Sequence, residues 1–246
     1  MNEWNAKHRD YLNAARSAGN CLECHTDDLE GTGTNGALRG SSRMTADKQA
    51  GDAGQALLDM DHDVHQAVKG HQSRPSIKLL SALSDIGDQP QARLLCGGLI
   101  VAGLARKDGR MIVAGVRMLV AHELATATKT AIKHRIDRKR PRAASDREDE
   151  KPEAGDSREK EDSSFPSGHS AGAMALASAL GAVYPRHRGS ALLTGGAVAL
   201  AQIPRCSHYP TDVGAGIAIG VAADGVVGLA WRIARSVAMR VLPRLR

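Results

Sequence analysis

The stretch that decides the fold is "SSFPSGHSAGAMALASAL", residues 163–180. Its second half is a run of small and apolar residues without polar–apolar alternation, which favours a buried helix over a strand. Ser167 or Ser170 suits the N-cap of that helix, because a serine hydroxyl accepts a hydrogen bond from an unpaired backbone N–H. The same helix start, with Gly168 and His169 beside it, can also hold an anion. The stretch alone supports both interpretations.

Apolar segments of the same character lie on both sides of this helix. They are rich in Ala, Leu and Gly, and we expect helices at 94–105, 111–132, 171–184, 191–203 and 213–231. Residues 76–87 also have helical spacing. The sequence therefore predicts an all-α protein, a bundle of about six helices.

We expect this bundle to be embedded in a membrane, the bacterial inner membrane. Gly and Ala are abundant, as in helices that pack closely in lipid. Most segments are shorter than the ~20 residues of a typical span, and the longer ones carry Arg117, Glu123 or Asp224. A soluble bundle is therefore the alternative. The basic segment 232–246 is either an ordinary helix or an amphipathic one that lies on anionic lipid.

The chain is expected to have two parts, a flexible polar extension at 1–57 and a helical domain at 58–246. The run at 31–43 has few large apolar residues and is predicted to be a loop. The start of the extension has no apolar h-region, so we expect no cleavable signal peptide. The charged segment 142–164 of the helical domain is predicted to be a solvated loop.

The overall charge restricts the partners of the protein. A net charge of +6 suits an acidic partner such as a phosphate ester or an anionic lipid. Aromatic residues make up only 2% of the chain, which leaves few platforms on which the bases of single-stranded nucleic acid can stack. We therefore expect a lipid phosphate and a membrane as partners, and no nucleic acid.

The extension contains "CLECH", residues 21–25, which matches the pattern for attachment of c-type haem through Cys21, Cys24 and His25. No export signal is visible, and few large apolar residues are available to cover a macrocycle. A zinc site at the same residues lacks a clear fourth ligand. We therefore expect no cofactor and no metal.

A basic segment, "KHRIDRKRP", follows the second long apolar stretch at residues 133–141. Lys133 and Arg140 are seven residues apart, two helical turns, so both side chains point from one face. An arginine fork and a lysine point charge together suit a phosphate group. The alternative is a basic helix end that satisfies its own C-terminal carbonyls.

A third segment, "RCSHYPTDVGAG", occupies residues 205–216. Pro210 suits the first turn of a helix, which places Asp212 in that turn, four residues after His208. A carboxylate at this distance can hold one ring nitrogen of the histidine and leave the other as a nucleophile. Because a histidine side chain ordinarily titrates near neutral pH, His169 is a candidate proton donor. The alternative is a histidine beside a capping aspartate.

The three segments, in this order and between apolar helices, resemble the type 2 phosphatidic acid phosphatase superfamily. That superfamily also contains bacterial acid phosphatases and vanadium haloperoxidases. The resemblance rests on Lys133…Arg140-Pro141, on Pro166–His169 and on His208…Asp212, and it extends over about residues 58–240.

The resemblance implies a catalytic role for three residues. His208 would attack phosphorus and form a phosphohistidine, Asp212 would orient His208, and His169 would protonate the leaving group. The phosphoryl oxygens would be bound by a further set without a metal: Lys133, Arg140, Ser167 and Gly168.

One position departs from the superfamily pattern. A Ser-Arg pair is expected ahead of His208, but Ala201 and Gln202 stand there instead. Arg205 lies only three residues before His208, and we predict that it replaces the missing arginine as a phosphate-binding residue.

The expected function is that of a phosphatase which hydrolyses lipid phosphate monoesters or diphosphates, of the phosphatidic acid or polyprenyl phosphate type. Two alternatives remain. A vanadate-dependent haloperoxidase would carry the same motifs, because vanadate mimics phosphate. A catalytically weakened homologue that only binds anionic lipid would explain the missing Ser-Arg pair.

Overall fold

The computed structural model describes residues 34–71, 74, 75, 77 and 89–241. The chain divides into two compact units, Met1–Gln49 and Ala50–Arg246. Of the first unit, the described residues 34–49 are helical. The CxxCH motif and almost all of the predicted helix at 76–87 lie outside the described residues.

The expectation of an all-α bundle is confirmed. Six α-helices occur among the described residues: α1 Thr34–Val68, α2 Gln89–Ala105, α3 Gly109–Lys133, α4 Gly168–Val183, α5 Arg188–Leu200 and α6 Pro210–Val241. A short 3-10 helix, Pro185–His187, precedes α5. Strands β1, Ile136–Asp137, and β2, Glu153–Ala154, form an antiparallel pair between α3 and α4.

Helix α1 differs from the expectation for this part of the sequence. Residues 31–43 were predicted to be a loop, but the helix begins at Thr34 and runs through the predicted domain boundary at 57/58. The helix contains no proline, and from Met44 onward it contains alanine, lysine and glutamine, which favour a helix.

Helix α4 lies at the centre of the second unit and packs against α3, α5 and α6. Its small side chains, such as Ala171, Ala175 and Ala179, are almost fully buried. Helix α6 approaches the backbone of α4 closely at Gly216 and Gly220. A Cβ on Gly220 would lie 2.4 Å from the carbonyl oxygen of Ala171. The small residues in both helices therefore permit contact between their backbones.

Helix α3 and the segment Pro210–Val237 of α6 are long and apolar enough to cross a membrane, judged by length and composition. In each helix, 33% of the most apolar stretch of 18 residues is buried within the structure. Two of the charges that interrupt these helices pair with each other, since Arg117 Nε donates to Asp224 Oδ1 at 2.8 Å.

The close approach of α6 to α4 makes Gly220 sensitive to a single added methyl group. Gly220→Ala should lower the free energy of unfolding by about 1–3 kcal/mol, because the new Cβ meets backbone atoms that cannot move aside. Gly225→Ala is the matched control in the same helix. Nothing lies within 4 Å of its Cβ position, so the gain in helix propensity should stabilise by about 0.5–1 kcal/mol. Denaturant unfolding of the two variants checks this, and equal effects would contradict the packing described.

Candidate active site

The segment between α3 and α4 folds back on itself and is not a simple solvated loop. Arg138 N donates to Asp162 O at 2.7 Å, and Ser164 N donates to Arg138 O at 2.9 Å. Glu150, in the middle of the segment, is 5% exposed. Its carboxylate accepts hydrogen bonds from Nδ1 of His62, at 2.9 Å, and of His65, at 2.7 Å. The prediction of a solvated loop is therefore wrong for Glu150, because two histidines of α1 cover it.

Arg138 is the centre of a buried network of ion pairs. Its Nε donates to the carbonyl oxygen of Glu150 at 2.8 Å. Its Nη1 donates to Thr211 Oγ1 at 2.8 Å and to Asp212 Oδ1 at 2.7 Å, and its Nη2 donates to Asp61 Oδ2 at 2.8 Å. Burial lowers the pKa of Arg138, but the two carboxylates outweigh this and raise it above its ordinary value. The guanidinium therefore stays charged and joins α1, the segment after α3 and the first turn of α6.

Asp212 is fully buried and accepts several further hydrogen bonds. Ser164 Oγ donates to its Oδ2 at 2.5 Å, and Tyr209 N donates to the same oxygen at 2.9 Å. Sequence analysis identified Asp212 from its spacing to His208, but it missed Arg138, Asp61 and Ser164. These three residues are far apart in sequence, and only the fold brings them together.

His208 lies directly beside this network. Its Nδ1 is 2.8 Å from the carbonyl oxygen of Ser164 and 3.7 Å from Asp212 Oδ2. A carbonyl oxygen can only accept, so Nδ1 carries the proton and Nε2 keeps its lone pair. His208 Nδ1 therefore donates its direct hydrogen bond to the carbonyl oxygen of Ser164. Asp212 acts on the ring through its charge, at a distance too long for a hydrogen bond.

The surroundings of His208 favour the neutral imidazole. Burial lowers its pKa to about 4, since the charge of Asp212, which acts in the opposite direction, does not compensate for desolvation. Arg140 and Lys133 lower the pKa further through charge repulsion. At neutral pH the ring is therefore unprotonated at Nε2, as a nucleophile must be.

A cavity of about 500 Å³ opens beside His208. Five of the predicted site residues lie on its wall: Lys133, Arg140, Gly168, His169 and His208. The structure thus places both imidazoles at the same cavity. Helix α3 contributes a stripe of four lining residues with helical spacing: His122, Thr126, Lys129 and Lys133. Sequence analysis did not identify His122, Thr126 or Lys129 as site residues.

The cations of the wall are held by the backbone of the segment before α4. Lys133 Nζ donates to the carbonyl oxygen of Ser163. Arg140 Nε donates to the carbonyl oxygen of Lys160 at 2.8 Å. Burial, and after it the nearby charge of Arg142, lowers the pKa of Arg140 below its ordinary value. A concentration of positive charge on a partly buried wall suits an anion.

Two predicted phosphate-binding residues, both within the described part of the chain, lie off this wall. Ser167 is the N-cap of α4, and its Oγ accepts from Ser170 N at 3.4 Å and from Ser170 Oγ at 2.8 Å. Arg205 directs Nη1 towards Gln202 Oε1, 3.5 Å away. Cys206, the next residue, has a positive φ of 49°, and the chain turns there before it reaches His208.

Comparison with known proteins agrees with the motifs. Residues 114–235 match the family model of the PAP2 superfamily, and this part of the chain, which contains all three motifs, belongs to that superfamily. No curated protein matches the sequence. Among solved structures, a transmembrane PAP2-type phosphatidylglycerolphosphate phosphatase from Bacillus subtilis is similar, with a TM-score of 0.33 and 18% identity over 72% of this chain and 96% of that chain.

The network around Arg138 should make this residue essential for stability. Arg138→Met leaves Asp61 and Asp212 buried without their cation, so the free energy of unfolding should fall by about 3–5 kcal/mol. Lys139→Met is the matched control, because Lys139 is exposed and pairs with Asp149 at the surface; it should change stability by less than about 0.5 kcal/mol. Denaturant unfolding measures both values. If Arg138→Met were as stable as the control, the proposed importance of the network would be excluded.

Proposed function

We propose that the protein is a phosphatase that hydrolyses lipid phosphate monoesters or diphosphates through a phosphohistidine at His208. The observation that carries this proposal is the cavity on whose wall the two motif histidines and the two motif cations, Lys133 and Arg140, meet. Membership of residues 114–235 in the PAP2 superfamily supports the same chemistry.

In the first step, the lone pair of His208 Nε2 attacks phosphorus. The new N–P bond forms as the P–O bond to the leaving group breaks, and His169 donates its proton to the departing oxygen. The ring gains positive charge in this step, and the buried carboxylate of Asp212, 3.7 Å from Nδ1, stabilises that charge. Ser164 keeps the ring in the required tautomer through its carbonyl oxygen.

In the second step, the neutral His169 accepts a proton from water, and the resulting hydroxide oxygen attacks phosphorus. The N–P bond breaks, inorganic phosphate leaves, and the electron pair of that bond returns to His208 Nε2. Both histidines are then in their starting states. Lys133, Arg140 and the backbone amides at the start of α4 stabilise the negative charge that develops on the phosphoryl oxygens.

An apolar groove close to the cavity supports a lipid as substrate. The groove, about 340 Å³, lies between α2, α3, α4 and α5, with Leu95, Met118 and Ala173 on its wall. On α2, Leu95 is one turn beyond Gln91 of the cavity, and on α4, Ala173 is one turn beyond His169. A lipid whose phosphate group lies in the cavity would therefore have its hydrocarbon tail within reach of this groove.

We further propose that the helical bundle is embedded in the bacterial inner membrane. Large apolar side chains are exposed on three helices of the bundle: Leu94, Val101, Leu104, Leu193, Val226 and Leu229. Such a surface is unfavourable in water and favourable in lipid. The pairing of Arg117 with Asp224 lowers the cost of both charges inside a membrane.

His208 is the residue whose loss should abolish the activity. His208→Gln should reduce phosphate release from phosphatidic acid or a polyprenyl phosphate by more than about a thousandfold, because the nucleophile is lost. His134→Gln is the control, since His134 is exposed and pairs with Asp156; it should retain full activity. The measurement is phosphate release by detergent-solubilised protein, with circular dichroism to verify folding.

Two further assays, run beside phosphate release, separate the alternatives. Halide oxidation that depends on vanadate, without phosphate release, would identify a haloperoxidase. Binding to vesicles of anionic lipid without any turnover would identify the catalytically weakened homologue. Either result would contradict the proposed phosphatase.

The groove predicts a chain-length preference that one substitution should remove. Thr194 lies on the groove wall and is exposed, so Thr194→Trp fills the groove without disturbing buried residues. The KM for a long-chain lipid phosphate should rise at least about tenfold, while that for a short-chain phosphate ester should not change. Leu193→Trp, at an exposed position 77% accessible and off the groove wall, is the control. An equal effect on both substrates would exclude the groove as the tail site.

A further inference from the structure

The wall of the active-site cavity contains polar side chains that the proposed reaction does not use. Lys133 and Arg140 supply fixed positive charge to this wall. Three other lining residues, Gln91 of α2 and His122 and Thr126 of α3, are polar but lack the permanent charge of a lysine or an arginine. We call these three residues the polar patch. In the proposed reaction the phosphoryl group is bound by the cations and the start of α4, so the patch is left for another part of the substrate.

The polar patch lies between the cations and the apolar groove. Along one face of α3, Met118 of the groove is one turn before His122. Thr126 follows one turn later, and Lys133 follows two turns after that. On α2, Gln91 is likewise one turn from the groove. The rise per residue of a helix puts His122 about 16 Å before Lys133 along α3. This distance exceeds the size of a phosphoryl group, so the patch faces the part of a lipid that joins its phosphate to its hydrocarbon.

His122 has an unused hydrogen-bonding group at this wall. It is 1% exposed, and its Nδ1 has no hydrogen-bond partner among the described residues. Glu123 Oε1 is 3.6 Å from this nitrogen, which is too far for a hydrogen bond. The carboxylate of Glu123 instead accepts from Arg93 Nε at 2.6 Å and from Arg93 Nη2 at 2.8 Å. Buried polar atoms in proteins nearly always have a partner. Since the ring forms part of the cavity wall, a polar atom of a bound substrate can supply one.

The hydrogen-bonding groups of the patch suit acceptor oxygens. A threonine hydroxyl, a glutamine amide and an imidazole each carry at least one N–H or O–H donor, whichever ring nitrogen holds the proton. In a phosphatidic acid, ester carbonyl oxygens stand between the phosphate and the hydrocarbon, and these oxygens only accept. In a polyprenyl phosphate, the hydrocarbon begins directly at the phosphate. It would cover the patch without forming any hydrogen bond, which is unfavourable.

We propose that the polar patch binds the ester carbonyl oxygens of a glycerolipid phosphate, and that this contact makes a phosphatidic acid a better substrate than a polyprenyl phosphate. The inference rests on the proposed phosphatase function and selects between its two substrate classes. His122 and Thr126 are then specificity-determining residues that contact the substrate away from the reacting phosphorus. Loss of their donors should impair recognition of the ester and not the chemical step at His208.

The test uses two short-chain substrates that differ only in the ester carbonyl oxygens, a diacylglycerol phosphate and its dialkyl ether analogue. Both are offered together in the same detergent micelles, and the ratio of their kcat/KM values is measured. Wild-type protein should prefer the diester about ten- to a hundredfold. The ratio does not depend on how much of a variant is correctly folded, because both substrates compete for the same enzyme.

Substitutions in the patch should change this ratio, and matched substitutions outside it should not. His122→Leu removes the donor and should lower the preference at least about fivefold, whereas His122→Gln keeps an N–H donor and should retain most of it. Thr126→Val keeps the shape of the side chain and should lower the preference about threefold. Thr128→Val and His134→Leu are the controls, at exposed residues of which one bonds to its own helix and the other pairs with Asp156. A purely structural role for His122 or Thr126 would slow both substrates equally and leave the ratio unchanged.

The outcomes separate this inference from the function on which it rests. If wild-type protein hydrolyses the diester and the diether equally well, or hydrolyses farnesyl phosphate at least as efficiently as the diester, the role of the patch is overturned and the phosphatase stands. If the diester is preferred but His122→Leu and Thr126→Val keep the full preference, the patch is again excluded. If no lipid phosphate is hydrolysed at all, the proposed function fails and this inference fails with it.

Discussion

The structure around the site depends on the burial of one guanidinium. Arg138 is 2% exposed, and it is bonded to Asp61 of α1, to the backbone of Glu150 and to Thr211 and Asp212 of α6. Removal of these charges from water is costly, and the cost is offset because the fork of donors matches two carboxylates at once. Three segments that are distant in sequence are thereby held together beneath His208.

Two consequences for the chemistry follow from this network. First, Asp212 is held by Arg138, Ser164 and Tyr209 and is fully buried, so its charge acts on His208 at a fixed distance. Second, His208 itself is buried, which keeps its ring neutral with a pKa of about 4. The small residues of α4 and α6 complete the arrangement, because close contact between the two backbones brings the start of α4 next to the first turn of α6.

The sequence predicts the helices and the motifs well, and it fails where distant residues meet. Apolar runs place α2 to α5 to within about five residues, whereas α6 continues ten residues beyond its predicted end at 231. The K-x6-R-P, P-S-G-H and H-x3-D spacings identify the superfamily. Local spacing could not reveal that Asp61 pairs with Arg138, or that Ser164 bonds to the His208 ring, because these contacts depend on the tertiary fold. The position of Lys129 at the cavity could not be predicted either, because a lysine near a helix end is common. Only the fold places its ammonium over Gly168 of α4.

The central claim is that His208 forms a covalent bond to phosphorus in the cavity it shares with His169. The most direct measurement uses His169→Ala with radiolabelled para-nitrophenyl phosphate, whose leaving group departs without a proton. The first step should then proceed while hydrolysis, which needs His169 as base, is slow. After a quench in base, peptide mapping should find an acid-labile phosphate on His208. A label on a different residue, or steady release of product with no labelled protein at any time, would contradict the account.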